Sequence, residues 1–204
     1  ATYNTTFTDV KGNWTQPAAT CPSGAAQYAS FWVGIDGYKS SSVEQLGTDS
    51  DCAGRNKPSY YAWWEMYPAG SNQISGFAVH PGDNMFAEVS VSGSTYTLTL
   101  KNLTTGQNFS TNQTQSGLAD ANAEWIAEAP SICVLVCQVQ KLTNFGTVNF
   151  SGSSTTGNGH TGAINDTAWS NDSITMVTNG GAVKASPSSL TSNGTAFSVT
   201  WHHA

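Results

Sequence analysis

Apolar and polar positions alternate along most of this chain, in short runs bounded by Gly, Asn, Ser or Pro. The segments FWVGI (31–35), SYYAWWEMY (59–67), NMFAEVSVSG (84–93), STYTLTLKN (94–102), FGTVNFSG (145–152), SITMVT (173–178) and AFSVTW (196–201) are rich in β-branched and aromatic residues. That pattern predicts strands, and VSGSTY and TNGGAV read as hairpin turns between them. Only GLADANAEWIAE (117–128) carries helix-forming residues, and it fits a strand from 123 onward equally well. No internal repeat or linker divides the chain. Many short strands with polar turns predict an all-β fold, a double-sheet antiparallel β-sandwich or jelly roll in a single domain over 1–204.

A strand sends alternate side chains to opposite faces. In YYAWWEMYP, Tyr60, Ala62, Trp64 and Met66 read as the core face, while Tyr61, Trp63, Glu65 and Tyr67 share the other. In FWVGIDG, Phe31, Val33 and Ile35 form an apolar side. Trp32, Gly34 and Asp36 form the opposite one, where glycine leaves room between an indole and a carboxylate. Read as a strand, 123–128 likewise puts Glu124 and Glu128 on one face, with Ile126 between them. Three segments therefore offer aromatics and carboxylates to a common surface. A plain solvent face would carry isolated charges without this aromatic area.

Composition narrows what that surface can meet. Only 10% of residues are charged, and seven Lys+Arg against 13 Asp+Glu leave a net charge of −6. No basic cluster exists, which argues against nucleic acid as a partner, and no apolar run is long enough to span a membrane. Few charge pairs are available for acid to break, as suits a protein that works at low pH. Cys21, Cys52, Cys133 and Cys137 sit in no CxxC pattern and have no histidine nearby, so a zinc site is not indicated. With a Ser/Thr/Asn-rich composition, two disulfides in a secreted, extracellular protein are expected, as Cys21–Cys52 and Cys133–Cys137, with free buried thiols as the alternative. His160, His202 and His203 read as loop and terminal residues.

Signatures such as GxSxG, HExxH or a glycine-rich phosphate loop are absent. Three uses of the surface stay open on the residues alone. A carbohydrate- or peptide-binding sandwich without catalysis would stack Trp32, Trp63 and Tyr67 on its ligand and bond it through Asp36 and Glu65. A glycoside hydrolase would use Glu65 and Glu128 as its carboxylate pair. A peptidase is the third.

WVGIDG (32–37), VEQLGTDSDC (43–52), YYAWWEMYP (60–68), NLTTGQ (102–107), NAEWIAEAP (122–130) and NFGTVNF (144–150), in that order, resemble the glutamic peptidases, or eqolisins. The SICVLVCQV region is more similar to bacterial-type members. The resemblance implies a concanavalin A-like sandwich with a substrate groove on its concave sheet. It implies an acid endopeptidase, insensitive to pepstatin, that cleaves polypeptides with a Gln/Glu dyad and without metal or cofactor. The motifs carry the dyad onto Gln45, expected to orient the attacking water and stabilise the oxyanion, and Glu128, expected to act as the ionised general base on that water. They carry groove contacts onto Trp32, Asp36, Glu65 and Tyr67. Tyr61 and Trp63 join that list from the face reading. A monomer is the default expectation. Three departures stand out: the strand that usually comes first in the family is expected to be missing, Tyr61 replaces an acid, and Leu46 replaces a threonine.

Overall fold

The strands close into two antiparallel sheets laid face to face. The computed structural model describes residues 1–55, 57–133 and 137–204, with the side chains of all these except 23, 25, 54, 55, 132, 133 and 137. The front sheet runs β16 (Ser170–Asn171), β1 (Thr2–Tyr3), β11 (Asn122–Glu128), β4 (Ser30–Asp36), β5 (Val43–Arg55), β6 (Pro58–Tyr67), β7 (Asn72–Gln73), and β3 (Ser23–Gln27) also pairs with β5. The back sheet runs β10 (Gln107–Thr114), β9 (Thr95–Asn102), β8 (Asn84–Ser92), β2 (Phe7–Thr15), β14 (Thr147–Gly157), β19 (Phe197–Trp201), β18 (Val183–Pro187), β17 (Met176–Val177), with β15 (His160–Gly162) on β14. A separate ribbon pairs β12 (Ser131–Cys133) with β13 (Cys137–Val139). No helix occurs among the described residues, and the ambiguous 117–128 segment resolves to strand β11. Nothing helical there is long and apolar enough to cross a membrane.

The expected strands at 31–35, 59–67, 84–93, 94–102 and 196–201 all form within a residue or two. The 145–152 strand starts at Thr147 and continues to Gly157, and SITMVT contracts to Met176–Val177. β5 escaped the pattern because its thirteen residues, VEQLGTDSDCAGR, are mostly polar. Tertiary burial, not side-chain hydrophobicity, makes it a central strand.

The core lies between the sheets. Phe31, Val33, Ile35 and Leu46 from the front meet Val10, Met85, Val89, Leu98, Leu100 and Phe150 from the back, all essentially inaccessible. Each such side chain contributes about 1.5–3 kcal/mol by leaving water. Thr48 and Ser50, on the core-facing side of β5, are satisfied from β2 and the residue just after it. The Trp14 indole N–H donates to Thr48 Oγ1 at 3.0 Å. Thr48 donates to Gln16 Oε1, and Gln16 Nε2 donates to Ser50 Oγ at 2.8 Å. Cys21 and Cys52 are joined as a disulfide that ties the segment before β3 to β5. The other expected pairing, Cys133–Cys137, lies outside the described side chains.

Candidate active site

The register of β11, β4, β5 and β6 builds the site. Antiparallel partners opposite one another share a face, and three rows cross the front sheet on the side away from the core. The first is Glu124, Gly34, Gln45, Glu65; the second Ile126, Trp32, Gly47, Trp63; the third Glu128, Ser30, Asp49, Tyr61. Gln45 and Glu128 thus lie on one face, two strands apart and offset by four residues. Both line one cavity of about 860 Å³, together with Trp32, Tyr38, Glu124 and Asp172. Its far side is apolar, from Ile164, Ile174, Leu190 and Phe197.

Trp32 occupies the space between the two rows that carry Gln45 and Glu128. A Cβ at Gly34 would fall 3.0 Å from its Cζ3, and one at Gly47 would fall 2.7 Å from its Cβ. Glycine at 34 leaves room for the buried indole, and glycine at 47 avoids both the Trp32 Cβ and the Phe31 carbonyl. Among the described residues the Trp32 N–H makes no hydrogen bond. It lies close enough to the Glu128 carboxylate to favour its charged form.

Gln45 is buried and its Nε2 donates to Glu65 Oε2 at 2.6 Å, while its Oε1 has no partner among the described residues. Burial raises Glu65, and the Gln45 amide opposes the rise. Glu128 is half-buried. Burial pushes it up to about 7, with the Trp32 N–H opposing and the charges of Glu124 and Glu65 adding. Glu124, 3% exposed, is also pushed up to about 7 by burial, and its Oε1 is unpartnered.

Trp63 and Tyr61 stand further along the same face, held by acids that alternation alone did not single out. The Trp63 indole donates to Asp49 Oδ1 at 2.6 Å. The Tyr61 hydroxyl lies 2.8 Å from Asp49 Oδ2 and 2.9 Å from Asp51 Oδ2. Burial pushes Asp49 up to about 8, with Asp51 adding to it, and pushes Asp51 up to about 6. Tyr61, standing where an acid was expected, thus connects two other acids. The signal for both was available, since 45, 49 and 51 share parity on one strand, but β5 was not legible as a strand. Tyr67 is 43% exposed at the end of β6.

Asp36 is the residue the structure moves off the expected face. Its φ of +63° breaks the alternation at the end of β4. Its carboxylate accepts from the Asp120 and Ala121 backbone N–H groups at 2.9 and 2.8 Å. It lies beside Glu44 and Asp120 on the core side, away from Trp32 and Gln45.

The sandwich thus carries a buried amide and several carboxyls raised by burial along one groove. Residues 1–201 match the peptidase A4 family, and the chain belongs to that family. It is 33% identical over 180 residues to aspergillopepsin-2 of Aspergillus niger, covering 76% of this chain and 62% of that protein. Scytalidopepsin B of Scytalidium lignicola is 33% identical over 168 residues, covering 78% and 63%. The chain therefore spans a little under two thirds of either relative. Among solved structures, scytalido-glutamic peptidase with a transition state analog inhibitor superposes with a TM-score of 0.84 at 28% identity, covering 98% of this chain and 95% of that one. Aspergilloglutamic peptidase from Aspergillus niger gives 0.73 at 29% identity, covering 86% and 99%.

Proposed function

We propose that this chain hydrolyses peptide bonds of polypeptides laid along the front-sheet groove, with Gln45 and Glu128 as the working pair. The observation that carries this reading is the placement of both side chains on one face and in one cavity, with the Gln45 amide already oriented by Glu65. Family membership and the relatives above support it. Of the two Nε2 protons, one is engaged by Glu65 and the other is available to a developing oxyanion. The unpartnered Oε1 can hold the attacking water. Trp32, Trp63 and Tyr67 offer aromatic area to the flanking residues of the substrate. No metal or cofactor enters this chemistry. The disulfide and the relatives support a secreted protein, and a monomer is sufficient because one chain supplies the whole groove.

Glu128 moves the proton. With its carboxyl held up to about 7, it is neutral in acid, and a neutral carboxyl can exchange two protons in one step. As water adds to the carbonyl carbon, one Glu128 oxygen accepts the water proton. The proton already on the other oxygen passes to the carbonyl oxygen, beside the Gln45 amide. In the collapse, Glu128 gives a proton to the leaving nitrogen as the C–N bond breaks, and takes one back from a hydroxyl of the diol. This form of the reaction predicts an acid optimum. A glycosidase pairing of Glu65 with Glu128 is less favoured, because Glu65 Oε2 is occupied by Gln45.

Digestion of a denatured protein between pH 3 and 8, with and without pepstatin, tests the proposal. Cleavage that persists with pepstatin and peaks in acid supports it. A peak near neutrality with collapse in acid makes ionised Glu128 the base and overturns the two-proton step. Absence of cleavage at every pH overturns peptide hydrolysis.

A further inference from the structure

The same strands carry a second acidic site on their opposite side. On β5, Glu44 faces the core, next to groove-facing Gln45, and pairs with Ile35. It is 0% exposed, and neither carboxylate oxygen has a hydrogen-bond partner among the described residues. It is aimed at Asp36 and Asp120, and one oxygen from each of the three residues lies within 4.8 Å of the others. The other two acids already accept hydrogen bonds. Asp36 accepts from the backbone N–H groups of Asp120 and Ala121, and Asp120 Oδ1 accepts from the Tyr96 hydroxyl of β9 at 2.7 Å. No ion pair among the described residues reaches any of them.

Three ionised carboxylates gathered without a counter-charge, two of them buried, are strongly unfavourable. Oxygens that share a cation at about 2.3–2.6 Å from each stand no more than roughly 5 Å apart, the spacing found here. The donor set is all oxygen, with no imidazole or thiolate to favour zinc or copper. Calcium accepts a carboxylate cage more readily than magnesium, which keeps several waters. We propose that Asp36, Glu44 and Asp120 bind one Ca²⁺ between the sheets. The ion fastens the β4–β5 connection, where Gln45 begins its strand, to the segment entering β11, which carries Glu128. It stands across the sheet from the groove and takes no part in the hydrolysis, so this proposal does not depend on the activity.

The test uses wild type stripped with EDTA at pH 7. Titration with CaCl₂ is expected to show one site by calorimetry and to raise the melting temperature by about 5–10 °C once the ion exceeds its Kd about 100-fold. Tb³⁺ should luminesce on excitation of the aromatic residues, through Tyr96, and Ca²⁺ should quench the signal by displacement. E44Q, which keeps the volume and removes the charge, is expected to abolish both responses, whereas E88Q on the back sheet leaves them intact. Wild type that shows no melting shift at millimolar CaCl₂ and no displaceable Tb³⁺ signal overturns the site, whatever the variants do. A Ca²⁺ response that survives in folded E44Q overturns the assignment to these residues.

Discussion

The two sheets obey the same alternation and end with different surfaces. β10 in the back sheet reads half-buried, exposed, half-buried through all eight residues, with polar side chains turned to water. β4 in the front sheet is buried at all seven. The back sheet has one inside. The front sheet has two, the core and the groove, and its second inside holds Gln45, Asp49, Asp51 and Glu124 within 6% exposure or less. Burial is the largest cause of the raised front-sheet acids. On the back sheet, burial also raises Asp9, but Lys11 stands 3.0 Å from it and opposes the rise.

Substitutions can break this contrast. The largest effect is expected for E128Q, which keeps the shape but cannot exchange a proton: kcat should fall by about 10²–10⁴-fold with melting temperature preserved or raised. Q45A should lower kcat by about 10²–10³-fold, as for loss of one oxyanion donor. Both are read from initial rates on a fluorogenic peptide. G34A is next. Its Cβ would press on Trp32 at 3.0 Å and on Gln45 Cβ at 3.1 Å, and displacement of the dyad should cost up to about 10²-fold in kcat/KM without loss of fold by circular dichroism.

Stability against pH sharpens the same comparison. Asp49 and Asp51 hold protons in the folded chain up to about 8 and about 6, against an ordinary value of 3.8. Between those limits the folded state binds more protons than the unfolded one, so stability is fully present near pH 4 and declines as pH rises toward 8. A carboxyl that ionises one pH unit later in the folded chain than in the unfolded chain alters stability by about 1.4 kcal/mol. Calorimetry on the E128Q background, which avoids self-digestion, should show the melting temperature falling over that range, and D49N should flatten the slope. A midpoint that climbs from pH 4 to 8 would contradict the burial argument. The smallest effect is expected on the outer back sheet. T99A, on a face where the Thr99 hydroxyl is hydrogen-bonded with that of Ser110 at 3.2 Å, should change unfolding free energy by no more than about 0.5 kcal/mol and leave activity unchanged.

Alternation alone was enough to anticipate an all-β sandwich, the core faces of β4 and β6, and the outward set of Trp32, Trp63 and Glu65. Those features depend on the local geometry of a strand, in which neighbouring side chains part to opposite faces whatever the rest of the chain does. Local pattern could not reveal β5, whose polar residues become a central strand only because other strands enclose it. It also missed Asp36 turning through a positive φ to the core side, and it missed Asp49 supporting Trp63 and Tyr61. The two glutamates of AEWIAE show the division most clearly. Their shared face followed from spacing, but their burial, their raised proton affinity and their alignment with Gln45 depend on register across β4, and register is settled by contacts between residues far apart in the chain.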